Sequence, residues 1–174
     1  MNRKILVPLA TLAAAGAIAV GSGATFTSHT ENTISAATSG TLKHTNSKDN
    51  AAIFNLTNMK PGDVLNGGLT LTNTGSLPAR FSLTEGTSAN GFTGSNLTLR
   101  ITNTTTNTVV YDGTFGGLTD GAKNDIGTIQ PGAASSFSFR VALDQNADNT
   151  QQNKAASATY AWDSVQLDGE SFDQ

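Results

Sequence analysis

Residues 58–81, "NMKPGDVLNGGLTLTNTGSLPARF", read as a turn, a strand, a second turn and the start of another strand. Pro61 and Gly62, ahead of Asp63, suit the second and third positions of a type II turn, where the third needs φ > 0. Leu65, Leu69 and Leu71 then share one parity while Thr70 and Thr72 take the other, the period of a strand with one wet face. "NTGSLPA" breaks that run, and Phe81 and Leu83 resume it. None of these residues is a nucleophile with a base beside it, a metal-ligand cluster or a phosphate cradle.

The same period recurs along the chain. Leu97, Leu99 and Ile101 alternate in "NLTLRIT", and Val109 and Tyr111 do so in "TVVYDG". Phe137, Phe139, Val141 and Leu143 form the cleanest alternation, and Ala158, Tyr160 and Trp162 another. Val165 and Leu167 fall out of that last parity, which predicts a bulge or bend there. Ile53 and Phe54 in "AAIFNLT" predict a further strand of mixed pattern. A second Pro-Gly corner, Pro131 and Gly132 in "TIQPGAA", also runs straight into an alternating strand and marks an equivalent corner. No segment after residue 25 keeps a helical period; "NADNTQQNKAASAT" reads as a polar loop with room for one helical turn. The expected fold is all-β: a single β-sandwich of jelly-roll or Ig-like type with about seven to nine antiparallel strands.

Composition narrows the function classes. Only 13% of the 174 residues are charged and 6% aromatic, and a hydrophobic content of 37% implies a thin core. The net charge of −3 offers no basic field, so neither nucleic acid nor an anionic membrane is an expected partner. The chain has no cysteine, which excludes disulfides, thiol catalysis and thiolate zinc sites.

The first residues are an address rather than part of the fold. "MNRKILVPLATLAAAGAIAVGSGA" places Arg3 and Lys4 before an uncharged run from Ile5 to Val20 and then small residues, the layout of a cleaved signal peptide over residues 1–24. A retained anchor is the alternative, but as a helix that run would span only about 24 Å against a hydrocarbon core of roughly 30 Å. The mature chain is expected to begin near Thr25, with no stable membrane insertion after cleavage. Residues 25–37 then form an N-terminal arm and residues 38–174 the sandwich.

Candidate chemistry is sparse. His29 and His44 lie in a polar region outside any H-E-x-x-H pattern and are expected to be solvated. Asp144, Asn146, Asp148 and Asn149 echo the start of a calcium loop, but Asn149 stands where the loop glycine belongs and Ala155 where the bidentate Glu belongs. A polar hairpin loop explains Asp144 to Asp148 equally well, leaving weak metal binding there open. No G-x-S-x-G elbow is present. The sequons at Asn55, Asn96 and Asn103 fall on expected strands and read as compositional. No catalytic residue, cofactor or metal site is assigned.

Three further pieces, in order, carry a family likeness: "SGTL" at 39–42, "NLTNMKPGD" at 55–63 and "LTNTGSL" at 71–77. With "GATFTSHTENT" after the hydrophobic run, they resemble the TasA/camelysin family of secreted bacterial proteins over roughly residues 20–85. The resemblance implies a jelly-roll-like sandwich, exported through a dedicated signal peptidase to the cell surface or extracellular matrix. TasA-type members polymerise into biofilm fibres, the N-terminal strand of one subunit completing a sheet of the next. Camelysin-type members are described as surface metalloproteases, and this chain departs from that pattern in lacking a recognisable zinc motif. For this chain the resemblance implies a non-enzymatic fibre subunit whose main partner is itself, with other matrix or cell-surface proteins as further partners. The alternatives are a camelysin-like metalloprotease and a monomeric adhesion or binding module.

The arm suits strand donation. Thr25, Phe26, Thr27 and Ile34 lie in a stretch whose two large apolar residues are Phe26 and Ile34. Extended, residues 25–37 reach about 43 Å, far enough to cross onto a neighbour. A free sheet edge offers unpaired N–H and C=O groups that such a strand would satisfy. Repeated head-to-tail without closing, that contact makes a filament.

Overall fold

The structure is a computed structural model that describes residues 40–53 and 59–168. The signal segment, the arm with Thr25, Phe26, Thr27 and Ile34, His29 and the expected strand core around Phe54 and Asn55 lie outside the described residues.

Among the described residues the chain forms eight strands and one 3-10 turn. They are β1 (His44–Asn46), β2 (Val64–Asn73), β3 (Ala79–Asn90), β4 (Leu97–Asn103), β5 (Thr108–Thr114), β6 (Lys123–Ile129), β7 (Ala134–Leu143) and β8 (Ala156–Gln166), with the turn at Asn149–Gln151. Every pairing is antiparallel. One sheet runs β1-β2-β7-β4-β5 and the other β6-β3-β8. Alternation puts Leu69 and Leu71 of β2, Phe81 and Leu83 of β3, Leu97, Leu99 and Ile101 of β4, and Phe137, Phe139 and Val141 of β7 on inward faces. Across the interior Phe137 meets Trp162 at 5.2 Å and Phe139 meets Tyr160 at 5.6 Å, ring centre to ring centre. The fold is the two-layer β-sandwich that the period-2 pattern implied.

The two Pro-Gly corners sit at opposite ends of the β2–β7 ladder and are built alike. Asp63 N donates to Lys60 O and Ala133 N to Gln130 O, both at 3.0 Å, closing the turns. Gly62 has φ 88° and Gly132 φ 73°, the left-handed region at the third turn position. Gly62 N then donates to Leu143 O at the end of β7, and Gly132 N to Asn73 O at the end of β2. Each corner thus ties the start of its own strand to the finish of the partner strand. Lys60 adds an ion pair to Asp63 at 2.6 Å, and its hydrogen bonds hold that carboxyl below the usual carboxylate range. A valine at 62 would take a left-handed φ that β-branched residues resist, and its Cβ would meet the Gln145 side chain. Gly62→Val is expected to destabilise the fold by about 1 kcal/mol or more. An unchanged melting temperature would show that this corner does not constrain the fold.

Several local expectations are corrected. Val109 does not share an inward parity with Tyr111: an extra residue, Val110, bulges β5 between the pairs Ile101–Tyr111 and Thr102–Val109. Val109 is therefore 43% exposed, while Val110 packs on the core. Nor does β8 bulge near Val165, because its register with β3 is unbroken from Gln166 to Tyr160. Val165 simply faces out, 51% exposed, and the irregularity lies in β3, between Glu85 and Ser88. Ile53 lies in a bend, not a strand. Asn96 precedes β4, and Asn103 at its end is buried, its side chain accepting from Thr105 N and Thr106 N. Two strands carried no clear signal: β1 has only three residues, and "KNDIGTI" of β6 has a single fully buried position, Ile129.

Candidate functional site

The residues singled out for chemistry do not converge. Asp144 Oδ1 accepts from Asn146 N at 2.7 Å, and Asp148 Oδ1 accepts from Thr150 N at 2.9 Å, so each carboxylate clamps its own turn. Hydrogen bonds from Thr150 hold Asp148 below the usual carboxylate range. His44 is not a solvated side chain: Nδ1 lies 2.9 Å from Ser164 Oγ, and the ring meets Phe81 edge-on at 5.3 Å. It serves instead as a polar strut from β1 to the facing sheet.

Among the described residues one side of the sandwich is left open. Short β1 covers only Leu71–Asn73 of β2, and a Ser47–Thr70 bond extends that cover by one residue. From Val64 to Leu69 that edge of β2 carries no strand among the described residues. In the facing sheet β8, eleven residues long, pairs with β3 alone among the described residues. Between them opens a hollow of about 370 Å³, lined by Ile53, Leu69, Ala158, Tyr160 and Trp162 and by polar residues from Asn46 to Asn50. Gly67 shapes its wall, since a Cβ there would stand 2.5 Å from Ile53 O. That close approach is what the "NGG" of the signature permits.

The other two edges are blunted. β5 carries the Val110 bulge and the exposed Arg100–Asp112 ion pair beside it at 2.8 Å. β6 carries a bulge opposite Phe81 and Ser82, Gly127 at φ 100°, and charged Lys123 and Asp125. Bulges and charges of this kind discourage further strand pairing. β8 has no such bulge of its own in its pairing with β3 from Tyr160 to Gln166.

One buried acid was missed at the level of sequence. Glu85 continues the inward row of Phe81 and Leu83 and is 0% exposed, and neither carboxyl oxygen has a hydrogen-bond partner. Burial pushes its pKa up, against a partial opposing pull from Tyr160 and with a further push from Asp120. Tyr160, its cross-strand neighbour, has a buried hydroxyl whose pKa is also raised by burial and by the Glu85 charge. The signal was there: a Glu on the core parity of "RFSLTEG".

The sequence profile of the camelysin metallo-endopeptidase family matches residues 1–96, more than half of the chain. The chain belongs to the TasA/camelysin family. "SGTL", "NLTNMKPGD" and "LTNTGSL" all lie within the matched span, which reaches through β2 and β3. Among curated proteins none matches the chain. A family named for metallo-endopeptidase activity implies a catalytic metal, which takes about three protein ligands around one point. Among the described residues no three His, Cys, Asp or Glu side chains gather so. His44, the histidine within them, is turned to Ser164 and Phe81. The described residues of this camelysin-family chain therefore do not fit a catalytic zinc, and no hydrolytic step is derived from them. No helix among the described residues is long and apolar enough to cross a membrane.

Proposed function

We propose that this camelysin-family chain is a secreted, non-enzymatic structural subunit of extracellular matrix fibres. Residues 25–37 of one copy add as a strand to the open side of the next, and the contact repeats head-to-tail. The observation that carries the reading is the asymmetry of the edges. One side is bulged and charged at β5 and β6, while on the other β8 and most of β2 carry no further strand among the described residues, around a hollow lined in part by Leu69, Tyr160 and Trp162. An added strand would satisfy those backbone groups and cover Leu69, Tyr160 and Trp162. Without cysteine and with a thin core, such pairing would add stability that one copy lacks.

Electron micrographs of the purified mature chain test this directly. Filaments are expected at high protein concentration, and deletion of residues 25–37 is expected to abolish them. A synthetic peptide of residues 25–37 should bind the truncated protein one to one. Mature protein that stays monomeric under every assembly condition would sink the proposal, and filaments that survive the deletion would rule out this arm as the donor.

The family's name favours a second reading, a surface metalloprotease. Chelator-sensitive cleavage of casein by the purified chain would support it, and an inert protein without bound zinc would remove it. A soluble monomer with saturable attachment to a surface ligand would point instead to an adhesion module.

A further inference from the structure

The buried carboxylate of Glu85 has a surrounding that hydrogen bonding within the fold does not explain. In a regular strand Glu85 and Ser88 would face opposite ways. The bulge sets Gly86 and Thr87 together against Thr159, since Glu85 pairs with Tyr160 and Ser88 with Ala158. Glu85 and Ser88 are thereby turned to the same face, and re-aiming a side chain is a recurrent use of such bulges. Ser88 Oγ stands 3.3 Å from Gly116 O and 3.5 Å from Asp120 Oδ1. The loop after β5 that carries Asp120 is tied to β3 by Gly121 N donating to Glu85 O at 2.8 Å. The Ser88 hydroxyl, the Gly116 carbonyl and the Asp120 carboxylate, all oxygen donors, thus gather on the face to which Glu85 is turned.

No lysine or arginine among the described residues forms an ion pair with Glu85 or Asp120; Lys123, on neighbouring β6, pairs with Asp163 at 3.6 Å. A carboxylate buried without hydrogen bond or counter-ion is costly, and a bound cation removes that cost. We propose that Glu85, Asp120, Ser88 and the Gly116 carbonyl form a calcium site at the β3 bulge. Oxygen-only donors select a hard cation over zinc. A mixed, irregular donor set completed by water suits calcium's six to eight ligands better than the strict octahedron of magnesium. The Tyr160 hydroxyl, on the strand residue paired with Glu85, is likewise buried without a hydrogen-bond partner. The site has no bearing on which segment completes the open edge, so its test and that of fibre assembly are independent.

Thermal unfolding of the full mature chain, in calcium and in chelator, is the test. Calcium well above its dissociation constant is expected to raise the wild-type melting temperature by roughly 5 °C or more at neutral pH. Asp120→Asn, at an exposed residue that leaves the core untouched, and Glu85→Gln should each lose most of that shift. In chelator Glu85→Gln should melt at or above wild type. Terbium, as a calcium substitute, should show tyrosine-sensitised emission through Tyr160 that both substitutions quench. No calcium shift in the wild type, a shift that persists in both variants, or stabilisation by zinc but not calcium would each overturn the proposal.

Discussion

Phe139→Ala is expected to lower the free energy of unfolding by about 3–5 kcal/mol, the range for removing a large aromatic from a packed core. Phe139 belongs to central β7, is fully buried, and reaches the facing sheet at Tyr160, 5.6 Å away, and Trp162, 6.3 Å away. It touches the sandwich at its thinnest resource, since few aromatic residues are available to refill the space. A domain of this size is stabilised by only about 5–15 kcal/mol, so the variant should unfold at a markedly lower urea midpoint with little change in slope. A loss under about 1 kcal/mol would mean that the sheets do not pack through this ring.

Asn73→Ala should cost nearly as much, by another mechanism. Asn73 is 0% exposed, and its Nδ2 donates to Leu77 O and Ile129 O, each at 2.8 Å. Its Oδ1 accepts from Gly75 N at 3.0 Å. One side chain therefore closes the β2–β3 turn and fastens β2 of one sheet to β6 of the other. Alanine takes the amide donor away from Leu77 O and Ile129 O, at about 1–3 kcal/mol for each that stays buried, or roughly 3 kcal/mol in all, while Gly75 N keeps its bond to Lys43 O. Asn73→Asp keeps the acceptor for Gly75 N but loses both donors, so it should not rescue the fold. An Asn73→Ala protein within about 0.5 kcal/mol of wild type would show that water replaces the clamp.

These two residues differ in how far they could be read in advance. Phe139 stands in the strict alternation of "SFSFRVAL", and its burial follows from period alone. Asn73 stands in "LTNTGSL", where it reads as an ordinary turn asparagine; nothing local announces Ile129 as its partner 56 residues away. Val109 departs from its apparent parity for a related reason, because a bulge shifts parity and is set by the pairing of β5 with β4 rather than by β5 itself. β6 shows little of that period because it pairs at an edge, where a largely polar strand is held by backbone hydrogen bonds and a single fully buried residue, Ile129.

By itself the sequence determined the class of fold, the inward faces of the central strands and the two Pro-Gly corners. These depend on side-chain period and turn chemistry, which act over a few residues. Tertiary structure alone decided which edges are bulged, which carry no further strand among the described residues, and that Glu85 and Ser88 share a face with Asp120 close to Ser88. Those outcomes depend on register between strands distant in the chain, and a shift of one residue turns every following side chain to the other face.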